Sequence, residues 1–212
     1  MEGDFGEAFF EEYQRRIKID YGNVSALPVL EYKNGMVKGS NPFAVVLANQ
    51  ILRQEGLRTA TQADLEKVLR FKIALQLRGT YEDTGLVLRT EEDKNHSKNT
   101  PLARNLGSQL EARGIEFSPE NPVFIPLTGL ELEKSGNDYG FIFRLREDAE
   151  IYRSPLLRMR NYCSFASEYI DEKTGLPTRL YPLESALESR TLYTRENGLS
   201  RFGLRSDLGT DS

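Results

Sequence analysis

Apolar side chains recur every three or four residues in four stretches of this chain, which is the spacing of one face of a helix. The predicted helices cover about residues 5–18, the stretch from Pro42 to just before Gly56, the stretch from 65 to just before Gly79, and about 101–113. The second helix opens at Ser40-Asn41-Pro42, where a capping side chain precedes a proline in the first turn. It is apolar on so many sides that we expect it at the centre of the core.

Elsewhere the apolar period changes to two, which is typical of strands with one buried face. The predicted extended segments are 26–32, 85–88, 123–125, 130–133 and 141–146. Asn34-Gly35 lies between apolar residues and predicts a hairpin turn, because both turn positions need positive φ. We therefore expect an α+β fold, with three to four helices packed on a mostly antiparallel sheet. The strand–loop–helix unit at 84–114 is the place where one parallel pairing would enter that sheet.

The periodicity weakens after Ile151. We predict a single domain over 1–212 in which residues 154–212 form a less regular C-terminal extension, packed against a partner subunit. Within it, Glu196-Asn197-Gly198 separates 192–195 from 199–202 and predicts a late hairpin.

Composition narrows the class of protein. The chain has 212 residues, a formal charge of −4 and 39% hydrophobic residues, so it can bury a core without a disulfide or metal. The acidic balance disfavours nucleic acid as a partner. One cysteine excludes a disulfide framework, and the acidic start is unlike a signal peptide. No apolar run reaches the ~20 residues that span a bilayer, so we expect a cytoplasmic protein and no membrane partner.

The polar segment before the fourth predicted helix is the first candidate site. Backbone N–H groups and the positive end of the helix dipole favour an anion at such a position. The segment contains the single histidine, and an arginine follows one turn along the helix. The anion-binding candidates are His96, Ser97, Lys98, Asn99, Thr100 and Arg104. The ordinary alternative is an exposed loop in which Thr100 caps the helix.

The sequence gives less support to a metal site, a reactive cysteine or a cofactor site. Glu91-Glu92-Asp93 near His96 resembles a metal site only faintly, because zinc sites usually need a second histidine, so we predict no metal. Cys163 lies among aromatic and small residues, which is typical of a buried structural cysteine. The chain has no Walker pattern and no GxGxxG before a helix, and no cofactor is indicated.

Arginine and tyrosine alternate in the C-terminal third of the chain. Such residues stack on bases and contact phosphates, and protein interfaces also favour them. Because acidic residues are as frequent in this region, we rank a protein interface above nucleic acid. The interface or nucleic-acid candidates are Arg158, Arg160, Tyr193, Arg195 and Arg201.

Three functions remain open from the sequence. The first is a non-catalytic intracellular binding or interaction protein, either a homo-oligomer or the partner of another protein, because no catalytic constellation is recognisable. The second is an enzyme acting on a small anionic substrate, a phosphate or a carboxylate, at the 95–104 loop and helix N-terminus. The third is single-stranded nucleic-acid binding through the C-terminal Arg/Tyr-rich region.

Overall fold

The computed structural model describes residues 1–22, 24–70, 83–92, 97–154, 157, 163–164, 169–178 and 201–202. The helices of this part are α1 (Gly3–Arg16), α2 (Pro42–Leu52), α3 (Gln62–Arg70) and α4 (Thr100–Glu111). The strands are β1 (Glu31–Lys33), β2 (Met36–Lys38), β3 (Gly85–Leu88), β4 (Val123–Pro126), β5 (Leu130–Lys134), β6 (Phe141–Leu145), β7 (Cys163–Ser164) and β8 (Arg201–Phe202). The predicted α+β class is confirmed.

The described strands pair in twos, and every pair is antiparallel: β1 with β2, β3 with β4, β5 with β6, and β7 with β8. The sheet that the sequence suggested is thus divided into short ladders. The parallel pairing considered for the strand–loop–helix unit is wrong, because β3 pairs antiparallel with β4. Helix α4 and the coil at 112–122 return the chain to the end of the pair where β3 finishes, since Val123 lies opposite Leu88.

Helix α2 lies at the centre of the core, as its apolar sequence predicts. Phe43 is fully buried, and its ring packs against the rings of Phe141 and Phe143 with centroids 4.7 and 5.0 Å apart. Asn41 caps the helix: its Oδ1 accepts a hydrogen bond from the backbone N–H of Ala44 at 2.8 Å. This packing joins α2 to the β5–β6 ladder.

Helix α1 packs on α2 through its buried face. It begins at Gly3, earlier than the sequence predicts, and continues as a π-helical turn, Ile17–Tyr21, that ends at Gly22 with φ of 67°. The hydroxyl of buried Tyr13 donates to the carbonyl of Leu27 at 2.6 Å. The Asn34-Gly35 hairpin is confirmed, with φ of 54° and 74° at the two turn residues.

Helix α4 is fastened to β6 by a side chain. Gln109 donates to the carbonyl of Phe143 at 2.9 Å and accepts from the N–H of Leu145 at 2.7 Å. Its amide thus replaces a strand neighbour at that edge of β6. The backbone of β6 is therefore held on one side by β5 and on the other by a helix.

Several predictions are tested only in part. Helix α3 begins at Gln62, whereas the predicted continuation to residue 77 enters 71–82, outside the described residues. Of the late hairpin, Arg201–Phe202 is extended but pairs with Cys163–Ser164, and 192–195 lies outside the described part. The single-domain prediction stays a prediction. No helix in the part that the structure describes is long and apolar enough to cross a membrane.

Candidate functional site

The structure describes most of the predicted anion-binding loop, but His96 lies outside the described residues. Ser97–Asn99 form a 3₁₀ turn that runs directly into α4. Ser97 and Lys98 are exposed, whereas Asn99 is buried and its Oδ1 accepts a hydrogen bond from the hydroxyl of Tyr139 at 2.9 Å. The buried amide thus anchors the turn to the core.

Two details of this loop differ from the sequence interpretation. Thr100 is not the cap but the first residue of α4, because the preceding 3₁₀ turn already has helical dihedral angles, with φ −76° and ψ −21° at Asn99. Arg104 does not point back to the turn: its guanidinium contacts Glu92 at 2.6 Å, in an exposed ion pair. Among the described members of the set, Asn99 and Arg104 thus have partners outside it, namely Tyr139 and Glu92.

The C-terminal candidates lie almost wholly outside the described residues, namely Arg158, Arg160, Tyr193 and Arg195. For Arg201 only the backbone is described, and it pairs with Ser164. The Arg/Tyr-rich interface stays a prediction.

The structure also contains a cleft of about 580 Å³. Its described lining comes from the end of α2 and the loop after it, the start of α3, the region from β4 to the start of β5, the chain after β6, and the turn at 173–174. We call it the α2–α3 cleft. Sequence analysis missed it because its lining residues come from segments more than a hundred positions apart.

One wall of the cleft is the capped start of α3. The hydroxyl of Thr61 donates to the Asp64 carboxylate at 2.8 Å, and the N–H of Thr61 donates to it at 2.9 Å. In return the N–H of Asp64 donates to the Thr61 hydroxyl at 3.3 Å. This reciprocal pattern is a capping box. Arg58 also donates to Asp64, and this bond is the main reason why the pKa of Asp64 lies well below its ordinary value.

The opposite wall is an arginine-rich network at the edge of the β5–β6 ladder. Glu131 contacts Arg53 at 3.3 Å, Arg146 at 3.6 Å, and also Arg144. Arg146 additionally makes a bidentate pair with Asp148, at 2.8 and 2.7 Å. That pair lowers the pKa of Asp148 and raises the pKa of Arg146.

The floor of the cleft carries an aromatic pair. The rings of Phe124 and Tyr152 stack with centroids 6.5 Å apart, and the Tyr152 hydroxyl donates to Glu150. Burial, and then that hydrogen bond, raise the pKa of Tyr152 to about 12, and the same bond lowers the pKa of Glu150. Lys173 approaches Glu150 at 3.5 Å from the turn above.

The rim of the cleft includes a tight turn docked on the start of α3. The Asp171 carboxylate accepts from the N–H of Lys173 at 3.1 Å, and from the N–H and hydroxyl of Thr174 at 2.8 and 2.9 Å. Gly175 follows with φ of 70° and lies directly against the backbone of Gln62 and Ala63. Only glycine fits there, because an added Cβ would lie 2.5 Å from the Ala63 nitrogen.

Six ionisable side chains that line this cleft have shifted pKa values. Each shifted carboxyl group has a lowered pKa and each shifted arginine or tyrosine has a raised one. General acid–base catalysis instead needs a pKa near the working pH. The arrangement is therefore suited to fixed electrostatic contacts and hydrogen bonds with a ligand.

Within the described residues, no group of three or more His, Cys, Asp or Glu side chains is placed to hold a metal ion. No protein-family model matches this chain, no curated protein matches it, and no solved structure matches its fold.

Proposed function

We propose that this protein is a non-catalytic binding protein whose ligand occupies the α2–α3 cleft. The observation that carries the proposal is the cleft itself, about 580 Å³ in volume and lined by charged side chains from both walls. Small-molecule sites typically have volumes of roughly 300–1,000 Å³ and a few placed polar groups. The cleft is thus of a size and polarity that suit a small molecule.

Fixed charges favour binding over proton transfer at this cleft. The Asp64 carboxylate accepts hydrogen bonds from Arg58 and from the capping residue Thr61, and the Asp148 carboxylate accepts from Arg146. The remaining acid, Glu150, accepts from Tyr152. A group that is already hydrogen-bonded and firmly charged is a poor general base, but it is a good fixed partner for a ligand.

We rank the cleft above the loop at 95–104 because Ser97 and Lys98 are exposed and Arg104 pairs with Glu92. Binding of a protein partner or a second copy through the C-terminal extension remains part of the proposal. Size-exclusion chromatography with light scattering addresses that part, and a strict monomer would count against a homo-oligomer.

The cleft is tested by a thermal-shift screen of anionic, neutral and cationic metabolites, followed by ¹⁵N–¹H NMR titration of each hit. We expect at least one hit to shift amides that line the cleft. The Leu57→Glu variant should bind the hit with lower affinity, because Leu57 lines the cleft and is 47% exposed. The matched control is Ile19→Glu, since Ile19 is 61% exposed and lies outside the lining.

Two outcomes contradict the proposal. If every hit keeps its affinity in Leu57→Glu but loses it in His96→Ala or Lys98→Ala, the ligand binds at the loop before α4. If new ligand signals grow in the NMR spectrum with time, in proportion to protein concentration, the protein is an enzyme.

A further inference from the structure

The charge of the α2–α3 cleft is opposite in sign to that of the chain. Among the described residues that line it, five side chains are cationic and three are anionic, whereas the whole chain has a net charge of −4. A cleft lined by an excess of one sign concentrates ligands of the opposite sign. We propose that the cleft binds an organic anion, a carboxylate or phosphate attached to an apolar body; this inference rests on the proposed function.

Arg53 is the group best placed to bind the anion. Its Nη1 donates to Glu131 and its Nη2 to the carbonyl of Leu130, both at 3.3 Å, and its Nε donates to the carbonyl of Asn49 at 3.1 Å. Charge-assisted hydrogen bonds are usually about 2.7–2.9 Å long, as in the neighbouring Arg146–Asp148 pair. The long contacts of Arg53 leave room for a stronger acceptor.

The carboxylate that neutralises Arg53 is shared. Glu131 also contacts Arg144 and Arg146, so three guanidinium groups surround it. Asp148 neutralises only one of them, Arg146. Arg53 therefore shares its carboxylate with two other guanidinium groups, and a ligand carboxylate or phosphate can complete its neutralisation while accepting two hydrogen bonds from it.

Two lysines extend the positive surface beyond the arginine wall. Lys67, on α3, is exposed and makes no hydrogen bond or ion pair with the residues that the structure describes. Lys173 is 73% exposed and its one ion pair in the described part, with Glu150, is 3.5 Å long. Both ammonium groups are available to an anion without first breaking a short contact.

The apolar part of the ligand has a contact as well. Leu57 lines the cleft and is 47% exposed, and Tyr152, whose ring stacks on buried Phe124, contributes to the same lining. The anionic groups of the cleft oppose an anion only weakly, because the carboxylates of Asp64, Asp148 and Glu150 are each bonded to a donor on the protein. A small aromatic or aliphatic body beside the anionic group matches this surface.

The test uses four probes with one ring and different charge: benzoate, phenyl phosphate, benzyl alcohol and benzylamine. Each is titrated at low salt into ¹⁵N-labelled protein, and cleft amides are followed. We expect the two anions to bind more tightly than the alcohol and to weaken as salt is added. In Lys67→Gln their Kd should rise about threefold to tenfold, whereas Lys134→Gln, an exposed lysine on β5 outside the lining, should change it less than about twofold.

A second variant, Arg53→Lys, keeps the charge but removes the planar pair of donors, and we expect it to weaken benzoate more than Lys134→Gln does. A preference between benzoate and phenyl phosphate identifies the anionic group, and either preference supports the inference. If benzylamine or benzyl alcohol shifts the cleft amides and neither anion does, the inference about charge is wrong while the binding cleft stands. If none of the four probes shifts them, the inference about an organic anion is overturned, and the metabolite screen decides separately whether the cleft binds a ligand.

Discussion

A single buried amide decides how α2 begins. Asn41 is fully buried, and its two amide atoms have different partners. Its Oδ1 accepts from the N–H of Ala44 at 2.8 Å, and its Nδ2 donates to the carbonyl of Ala26 at 2.8 Å. The residue therefore caps the central helix and also satisfies a buried carbonyl in the segment that leads to β1.

We predict that Asn41→Ala lowers the free energy of unfolding by about 2–4 kcal/mol, the sum of a lost cap and an unsatisfied buried carbonyl. Asn41→Ser keeps a capping oxygen but cannot reach Ala26, so its loss should be about half as large. Urea denaturation measures both. The control is Asn121→Ala, whose side chain is exposed and which we expect to change stability by less than about 0.5 kcal/mol. Equal losses for alanine and serine would show that the cap contributes nothing.

The elements that the sequence predicted correctly are those with a local cause. Asn41-Pro42 starts α2, and Asn34-Gly35 turns the first hairpin. In each case the residues that form the contact are within four positions of one another. The pairing of β3 was not predictable in this way, because its partner, β4, lies beyond a helix and a coil.

The docked turn at 169–178 shows how one element depends on another. Gly175 needs φ of 70° and close contact with the start of α3. Gly114, after α4, has nearly the same φ of 71°, but nothing lies within 4 Å of the position where a Cβ would be. Comparing substitutions at the two glycines therefore distinguishes the cost of backbone strain from the cost of a clash with a neighbouring element.

We predict that Gly114→Ala costs about 1–2 kcal/mol, the strain of a left-handed residue with a side chain. Gly175→Ala should cost clearly more, because its Cβ also meets the backbone of Gln62 and Ala63 at 2.5 Å. Denaturant unfolding gives both free energies, and hydrogen exchange should show faster exchange at 169–178 in the Gly175 variant alone. Equal costs at the two glycines would mean that the turn is not held against α3.

At the scale of the whole molecule, the candidate site is a product of tertiary structure. The cationic residues of the cleft lie just after α2, in the loop before α3, on α3, after β6 and in the docked turn. No local pattern in the sequence indicates that Arg53 and Arg146 share one glutamate. The loop at 95–104 was predicted as a site from a local signal, because it holds the only histidine of the chain.

Hydrogen-bonded carboxyl groups of the chain make the stability of the fold depend on pH. Arg15 and Arg16 hydrogen-bond to Glu12 and lower its pKa from 4.5 to about 2. The hydrogen bond from Arg58 lowers the pKa of Asp64, and the hydrogen bond from the N–H of Thr174 lowers the pKa of Asp171. A carboxyl group with a depressed pKa in the folded state stabilises the protein above its ordinary pKa, and this contribution is lost as the pH falls through the folded value.

We therefore predict that the free energy of unfolding is nearly constant between about pH 7 and 5 and falls steadily from about pH 4.5 to 2. Glu12→Gln and Asp64→Asn should each make this acid decline shallower, because the substituted side chain no longer takes up a proton. Glu120→Gln is the control, since Glu120 is exposed and makes no ion pair with the described residues.

Salt at about 1 M should weaken the effect of Glu12, whose partners face solvent, more than that of Asp64, which is also held by backbone and hydroxyl donors. An unchanged decline in both variants would show that these ion pairs contribute nothing to folding, and would remove the charge-pair account of the cleft wall at Asp64.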